Sequence, residues 1–204
     1  MKSLHRPDLF AWSSFDEARN VDFSGTLLVR EGGANVAFDP MPMSDHDLAH
    51  ARQLGGIDWI LVTNADHVRD ALNLAGVFDA RVAAPTGDRD RPDFRGLPVG
   101  LWLDDGDTLD FGVTCLGVNG SKTPGELAFL IDDHTLISGD LIRGQRAGSL
   151  NLLPDPKLSD KAAALATVRR FADLPGLQAV LVGDGQSVFR EGAARLHDLL
   201  ANAQ

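Results

Sequence analysis

Three short apolar runs in this chain each end on an aspartate beside a residue that favours turns. Ile60-Leu61-Val62-Thr63 opens onto Asn64-Ala65-Asp66-His67, Thr135-Leu136-Ile137-Ser138 onto Gly139-Asp140, and Val180-Leu181-Val182 onto Gly183-Asp184-Gly185. Runs of this length, rich in β-branched residues and closed by glycine or asparagine, read as strands. A carboxylate at the end of a strand is held in place by the ladder behind it. A chain that does this three times is building sheets whose ends deliver charge to a site.

The rest of the pattern alternates strands and helices. Residues 25–30 and 35–38 flank a glycine-bearing turn and predict a hairpin. Residues 44–54 predict a short helix with Ser44 as N-cap and Gly55-Gly56 closing it. A strand over 57–63 is followed by a predicted helix over 66–76, with Val68, Ala71, Leu72 and Ala75 on one face, and by a strand over 81–84. Residues 86–95 interleave Asp and Arg and read as an exposed, solvated loop. Strands within 99–118 break at Asp104-Asp105-Gly106-Asp107. Leu127-Ala128-Phe129-Leu130-Ile131 and residues 135–138 predict a second hairpin. Residues 143–157 show no periodicity; helices follow over 159–174 and 191–201, with a strand over 178–182 between them. Trp59 is the tryptophan expected to be buried, and Cys115 is expected to be a packed, inert thiol.

Composition bounds the function. With 204 residues the chain suits a single domain over 1–204. A net charge of −10 argues against a nucleic-acid partner. One cysteine excludes an internal disulfide framework and a cysteine-rich zinc site. No run approaches the length of a membrane span, and no leader is evident, so a cytoplasmic location is expected. Neither a Gly-x-Gly-x-x-Gly fingerprint nor a phosphate loop is present.

In this order the strand-end motifs resemble those of the metallo-β-lactamase superfamily. The matching segments are Thr63-Asn64-Ala65-Asp66-His67-Val68-Arg69, Ser121-Lys122-Thr123-Pro124-Gly125, Ser138-Gly139-Asp140 and Gly183-Asp184-Gly185. The resemblance covers essentially the whole chain. It implies an α/β/β/α sandwich, four layers with mixed sheets inside and helices on the outer faces, and a hydrolase-like activity on a small molecule; Arg143 and Arg146 are suited to an anionic group on it.

The family's metal-binding histidines do not carry over. The alignment places Asn64, Asp66 and Arg69 at histidine positions, Val68 at an aspartate position, and Lys122 and Asp184 at the last two histidine positions. Asp140 alone keeps the family residue. A frame shifted by two would put Asp66-His67 on the family's Asp-His pair but would place Val62 at a ligand position. Charged Lys and Arg have no lone pair to offer a metal, so a standard dinuclear zinc centre is not expected.

Two readings of the altered set follow. In one, Lys122 and Arg69 neutralise the carboxylates of Asp66, Asp140 and Asp184, and no cofactor is bound. In the other, Asp66, His67, Asp140 and Asp184 hold a single divalent ion, Mn, Mg or Zn. Catalysis is assigned to Asp66, Lys122, Asp140 and Asp184, with Asn64, Arg69, Arg143 and Arg146 contacting substrate. The alternative for Arg143 and Arg146 is pairing with Asp155 or facing solvent. A noncatalytic, ligand-binding protein is the alternative. His46 and His50 share a helix face, but Asp47 lies in a capping box and the pair reads as solvated surface. His134 and His197 are expected at the surface, and His5 is uninformative.

Overall fold

Seven strands of the first half of the chain lie side by side in the order in which the chain makes them. They are β1 (Lys2–Ser3), β2 (Leu9–Asp16), β3 (Val21–Leu28), β4 (Val36–Phe38), β5 (Trp59–Leu61), β6 (Arg81–Pro85) and β7 (Val99–Leu103). The computed structural model describes residues 1–203. It divides into two compact units, the first spanning Met1–Leu103 and the second beginning at Asp104.

In the first unit β1 to β4 pair antiparallel and β4 to β7 pair parallel. The parallel steps need crossovers: helix α1 (Asp45–Gln53) joins β4 to β5, α2 (Ala71–Phe78) joins β5 to β6, and a segment with two 3₁₀ turns joins β6 to β7. Leu27, Ala37, Ile60 and Val82 lie on the face that packs with Ala71, Leu74 and Ala75 of α2. The intervening Leu28, Phe38, Leu61 and Ala83 are buried as well. Central strands buried on both faces explain why these runs are continuously apolar rather than alternating.

The expected Ser44 cap is present: its hydroxyl accepts from the Asp47 amide at 3.1 Å. The helix expected over 66–76 begins later. The Asn64 side chain accepts from the Asp66 amide at 2.9 Å, folding Ala65–His67 into one 3₁₀ turn, and Arg69 takes a left-handed φ of 43°. A left-handed residue stops helical propagation, so α2 starts at Ala71. This start rotates Leu72 outward, where it is 54% exposed. The expected solvated loop over 86–95 is instead two 3₁₀ turns, Thr86–Asp88 and Pro92–Phe94, with Asp88 and Phe94 buried. Trp12, not Trp59, is the buried tryptophan, its Nε1 donating to Met41 O at 2.8 Å. Trp59 is half-buried beneath the Arg81 guanidinium, 4.1 Å from its ring centre.

The second unit holds β8 (Thr108–Leu109), β9 (Val113–Gly117), β10 (Leu127–Ile131), β11 (Thr135–Ser138), β12 (Ile142–Arg146), β13 (Ser149–Leu152) and β14 (Ala179–Val182), with α3 (Lys161–Ala172) and α4 (Gly192–Asn202). Its five-stranded sheet runs β14-β11-β10-β9-β8, and β11 pairs parallel with β14. Ala128, Leu130, Leu136 and Val180 pack against Val168 and Phe171 of α3 and Leu196 and Leu199 of α4. Burying each large apolar side chain there contributes roughly 1.5–3 kcal/mol.

The stretch 143–157, expected to be irregular, contains the β12–β13 hairpin. Its strands are short and Gly144 breaks the first, so they escape a periodicity test. Cys115 is buried in β9, and burial, followed by Asp107, Asp105 and Asp104, pushes its thiol up to about 12. Alkylation by iodoacetamide at pH 8 is expected to leave Cys115 unmodified in the folded protein. Quantitative modification should appear only on denaturation, as read by mass spectrometry. Among the described residues no helix is long and apolar enough to cross a membrane.

Candidate functional site

In the first unit the parallel strands β4, β5 and β6 end at one edge, the usual place for ligand chemistry in an open α/β sheet. The chain leaves β4 at Asp39, which is 2% exposed and sits at a left-handed φ of 45°. Asp39 Oδ1 accepts from the Thr63 amide at 2.7 Å. Its Oδ2 accepts from Thr63 Oγ1 at 2.7 Å and meets His67 Nδ1 at 2.7 Å. His67 is 3% exposed, and its Nε2 faces Arg69 Nη2 at 3.2 Å.

A guanidinium only donates, so Nε2 must accept and the proton belongs on Nδ1, directed at Asp39. Arg69 is itself well anchored. Its Nη1 donates to Ser24 O at 3.0 Å and Asp39 O at 3.1 Å, and its guanidinium lies 5.4 Å from the Phe23 ring centre. Asp88 supports the same turn by accepting from the Ala65 amide at 2.9 Å. Asn64 is fully buried and Asp66 half-buried on that turn.

The second unit builds its own strand-end cluster. Ser138 of β11 is in register with Val182 of β14, so Asp140 and Asp184 lie at equivalent positions two residues beyond neighbouring strands. They are 6% and 3% exposed. Glu126, 1% exposed immediately before β10, accepts from Ser121 Oγ at 2.6 Å and from the Leu141 amide at 3.0 Å. It thereby ties the 121–125 turn, with its exposed Lys122, to the residue following Asp140. The hydroxyls of Thr123 and Ser138 at this edge are buried without a hydrogen-bond partner among the described residues.

Arg143 donates to Asp184 in a largely buried ion pair. The expected partner Asp155 pairs with Lys161 instead, at 3.0 Å. Position explains the choice: Gly144 N donates to Asp184 O at 3.0 Å and Gln186 N to Gly144 O at 2.7 Å, laying β12 directly on the Asp184 loop. Arg146, at the far end of β12, is exposed.

Residue-level reading missed Asp39, Asp88 and Glu126. Asp39 carries the same signal as the others, an aspartate closing an apolar run, in Val36-Ala37-Phe38-Asp39. Asp88 and Glu126 have no such mark, because the backbone amides they accept from, Ala65 and Leu141, belong to other segments of the chain. His46 is exposed on α1, as expected of a solvated face, whereas His50 is half-buried with its ring edge-on to Phe10 at 5.6 Å.

A family model described as the metallo-beta-lactamase superfamily matches residues 1–203. The chain belongs to the metallo-beta-lactamase superfamily. Its fold agrees with the DIM-1 metallo-beta-lactamase crystal structure at a TM-score of 0.76 and 16% identity, covering 100% of this chain and 97% of that one. It also agrees with TTHA1623 in a di-iron-bound form at 0.67 and 25% identity, covering 91% and 98%. A hydroxyacylglutathione hydrolase from Acidiphilium cryptum (strain JF-5) is 32% identical over 121 residues, 56% of this chain; the matched part spans 47% of that relative.

TTHA1623 is bound to two irons in its structure, so the donor atoms of this chain have to be weighed against a metal. They fit poorly. The His67 Nε2 lone pair is directed at a guanidinium, and Asp184 Oδ2 is ion-paired with another. The positions occupied by Arg69 and Lys122 supply cations rather than ligands. Among the described residues no group of three or more His, Cys, Asp or Glu side chains is arranged to hold a metal ion.

Proposed function

We propose that this superfamily member is a hydrolase acting on small acyl compounds, thioesters foremost, through its own side chains. The observation that carries the reading is the second unit's strand edge, where Asp140 and Asp184 emerge side by side in nearly full burial. A carboxylate kept from bulk water is a competent general base. The relative named as a hydroxyacylglutathione hydrolase supports an acyl substrate carried on a thiol.

In the proposed reaction Asp140 accepts a proton from water as the water oxygen bonds to the acyl carbon. The resulting oxyanion is stabilised by the Lys122 ammonium. Collapse breaks the bond to the leaving thiolate, which takes up the proton and departs as a thiol beside the free acid. Asp184, neutralised by Arg143, holds the loop in place. Asp66, Asn64 and Arg69 are the corresponding candidates of the first unit, and Arg146 is available to a substrate carboxylate.

A noncatalytic ligand-binding role is the second reading, favoured by the pairing of Asp184 with Arg143. Assays of thioesters, esters, lactones and phosphodiesters, each with and without Mn²⁺, separate the two. Thioester turnover that does not require Mn²⁺ is expected. Asp140→Asn should lower it by about 100-fold or more while the circular dichroism spectrum is retained. A blank result across the panel would reject hydrolysis in favour of binding alone.

A further inference from the structure

We propose that Arg69 and Arg143 are resident cations of this protein, each guanidinium holding a donor atom that a divalent ion would otherwise need. In the first unit that atom is His67 Nε2, and in the second it is Asp184 Oδ2.

The first unit states the case most fully. A carboxylate that fixes the proton on one imidazole nitrogen, leaving the other nitrogen's lone pair aimed at a positive charge, is the usual support of a metal-binding histidine. Asp39 and His67 form that support, and the positive charge facing Nε2 is Arg69. The guanidinium is a fixture, held by two backbone carbonyls and the Phe23 face. Its backbone adopts a left-handed φ of 43°, which an arginine takes up only where its contacts compensate.

The second unit repeats the logic with a carboxylate. Arg143 precedes Gly144, whose backbone lies against residues 184–186 so closely that a Cβ would stand 2.7 Å from the Gln186 carbonyl carbon. Backbone contact therefore holds the guanidinium on Asp184. Both charges are covalently tethered, so neither can be lost to a chelator.

The inference stands whether or not the protein turns a substrate over, and metal uptake tests it separately. The full-length protein is dialysed against Zn²⁺ or Mn²⁺ and its metal content determined, while ¹⁵N shifts report on the His67 ring. The wild type is expected to take up no stoichiometric metal and to keep an unprotonated, unshifted Nε2. Arg69→Gln should bind Zn²⁺ roughly 10-fold more tightly than wild type, with Nε2 shifting. Arg143→Gln should likewise gain affinity for Mn²⁺, whereas Arg69→Lys and Arg143→Lys, which keep the charge, should not. A wild type that takes up a full equivalent with His67 shifted would overturn the proposal, as would Gln variants no better than wild type. Should the Gln variants fail to fold, the wild-type titration decides: a His67 shift on adding Zn²⁺ refutes it, and no shift upholds it.

Discussion

Gly144→Ala is expected to destabilise the protein by about 3 kcal/mol or more, the upper end of what overpacking costs. The methyl group would overlap the Gln186 carbonyl oxygen and approach the Gln186 amide nitrogen at 2.9 Å. All of these are backbone atoms, which cannot rotate aside as a flexible side chain would. Relief requires β12 to lift from the 184–186 loop, breaking the bonds from Gly144 N to Asp184 O and from Gln186 N to Gly144 O. Arg143 moves with β12, so its pair with Asp184 should weaken as well. Urea denaturation measures the loss. A variant as stable as wild type would show that the two backbones are not in contact.

Asp39→Ala is expected to cost about 3–5 kcal/mol, comparable to removing one partner from a buried charged network. The substitution strands the Thr63 amide, the Thr63 hydroxyl and the His67 Nδ1 proton, all buried. Alanine also tolerates the left-handed backbone at residue 39 less well than aspartate does. Asp39→Asn keeps the shape and the backbone preference but turns an amide N–H₂ toward groups that donate. Its loss should be smaller, about 1–3 kcal/mol. A further signature lies in the imidazole: with Asp39 gone, nothing fixes the proton on Nδ1, and ¹⁵N shifts of His67 should report a mixture of tautomers. An Asp39→Ala protein with wild-type denaturation and an unchanged His67 would remove the dyad from the account of the fold.

Both effects involve residues to which sequence reading assigned no role, and the reason is physical. Gly144 resembles any loop glycine until two backbones are seen to touch across forty residues of chain. Asp39 closes an apolar run as Asp66, Asp140 and Asp184 do. Its importance, however, comes from Thr63 and His67, which reach it only because β4 and β5 pair in register. The α2 boundary failed for a related reason. The apolar spacing of 66–76 permits a helix, but the Asn64 side chain and the left-handed Arg69 divert the backbone first. The β12–β13 hairpin has no periodic signature because both strands are short and Gly144 interrupts β12.

Strand ends were legible because they depend on local chemistry, an apolar run closed by a turn-forming residue. The sequence by itself determined most of the order of strands and helices, the Ser44 cap, and the membership implied by four ordered motifs. Only the tertiary structure decided which charge meets which: Arg143 with Asp184, Arg69 with His67, and Glu126 with the amide following Asp140. Pairing between distant segments depends on strand register and backbone contact, and no local spacing encodes either. In each unit the aspartates that close apolar runs mark a strand edge, and a guanidinium, Arg69 against His67 in the first and Arg143 against Asp184 in the second, sets the charge there.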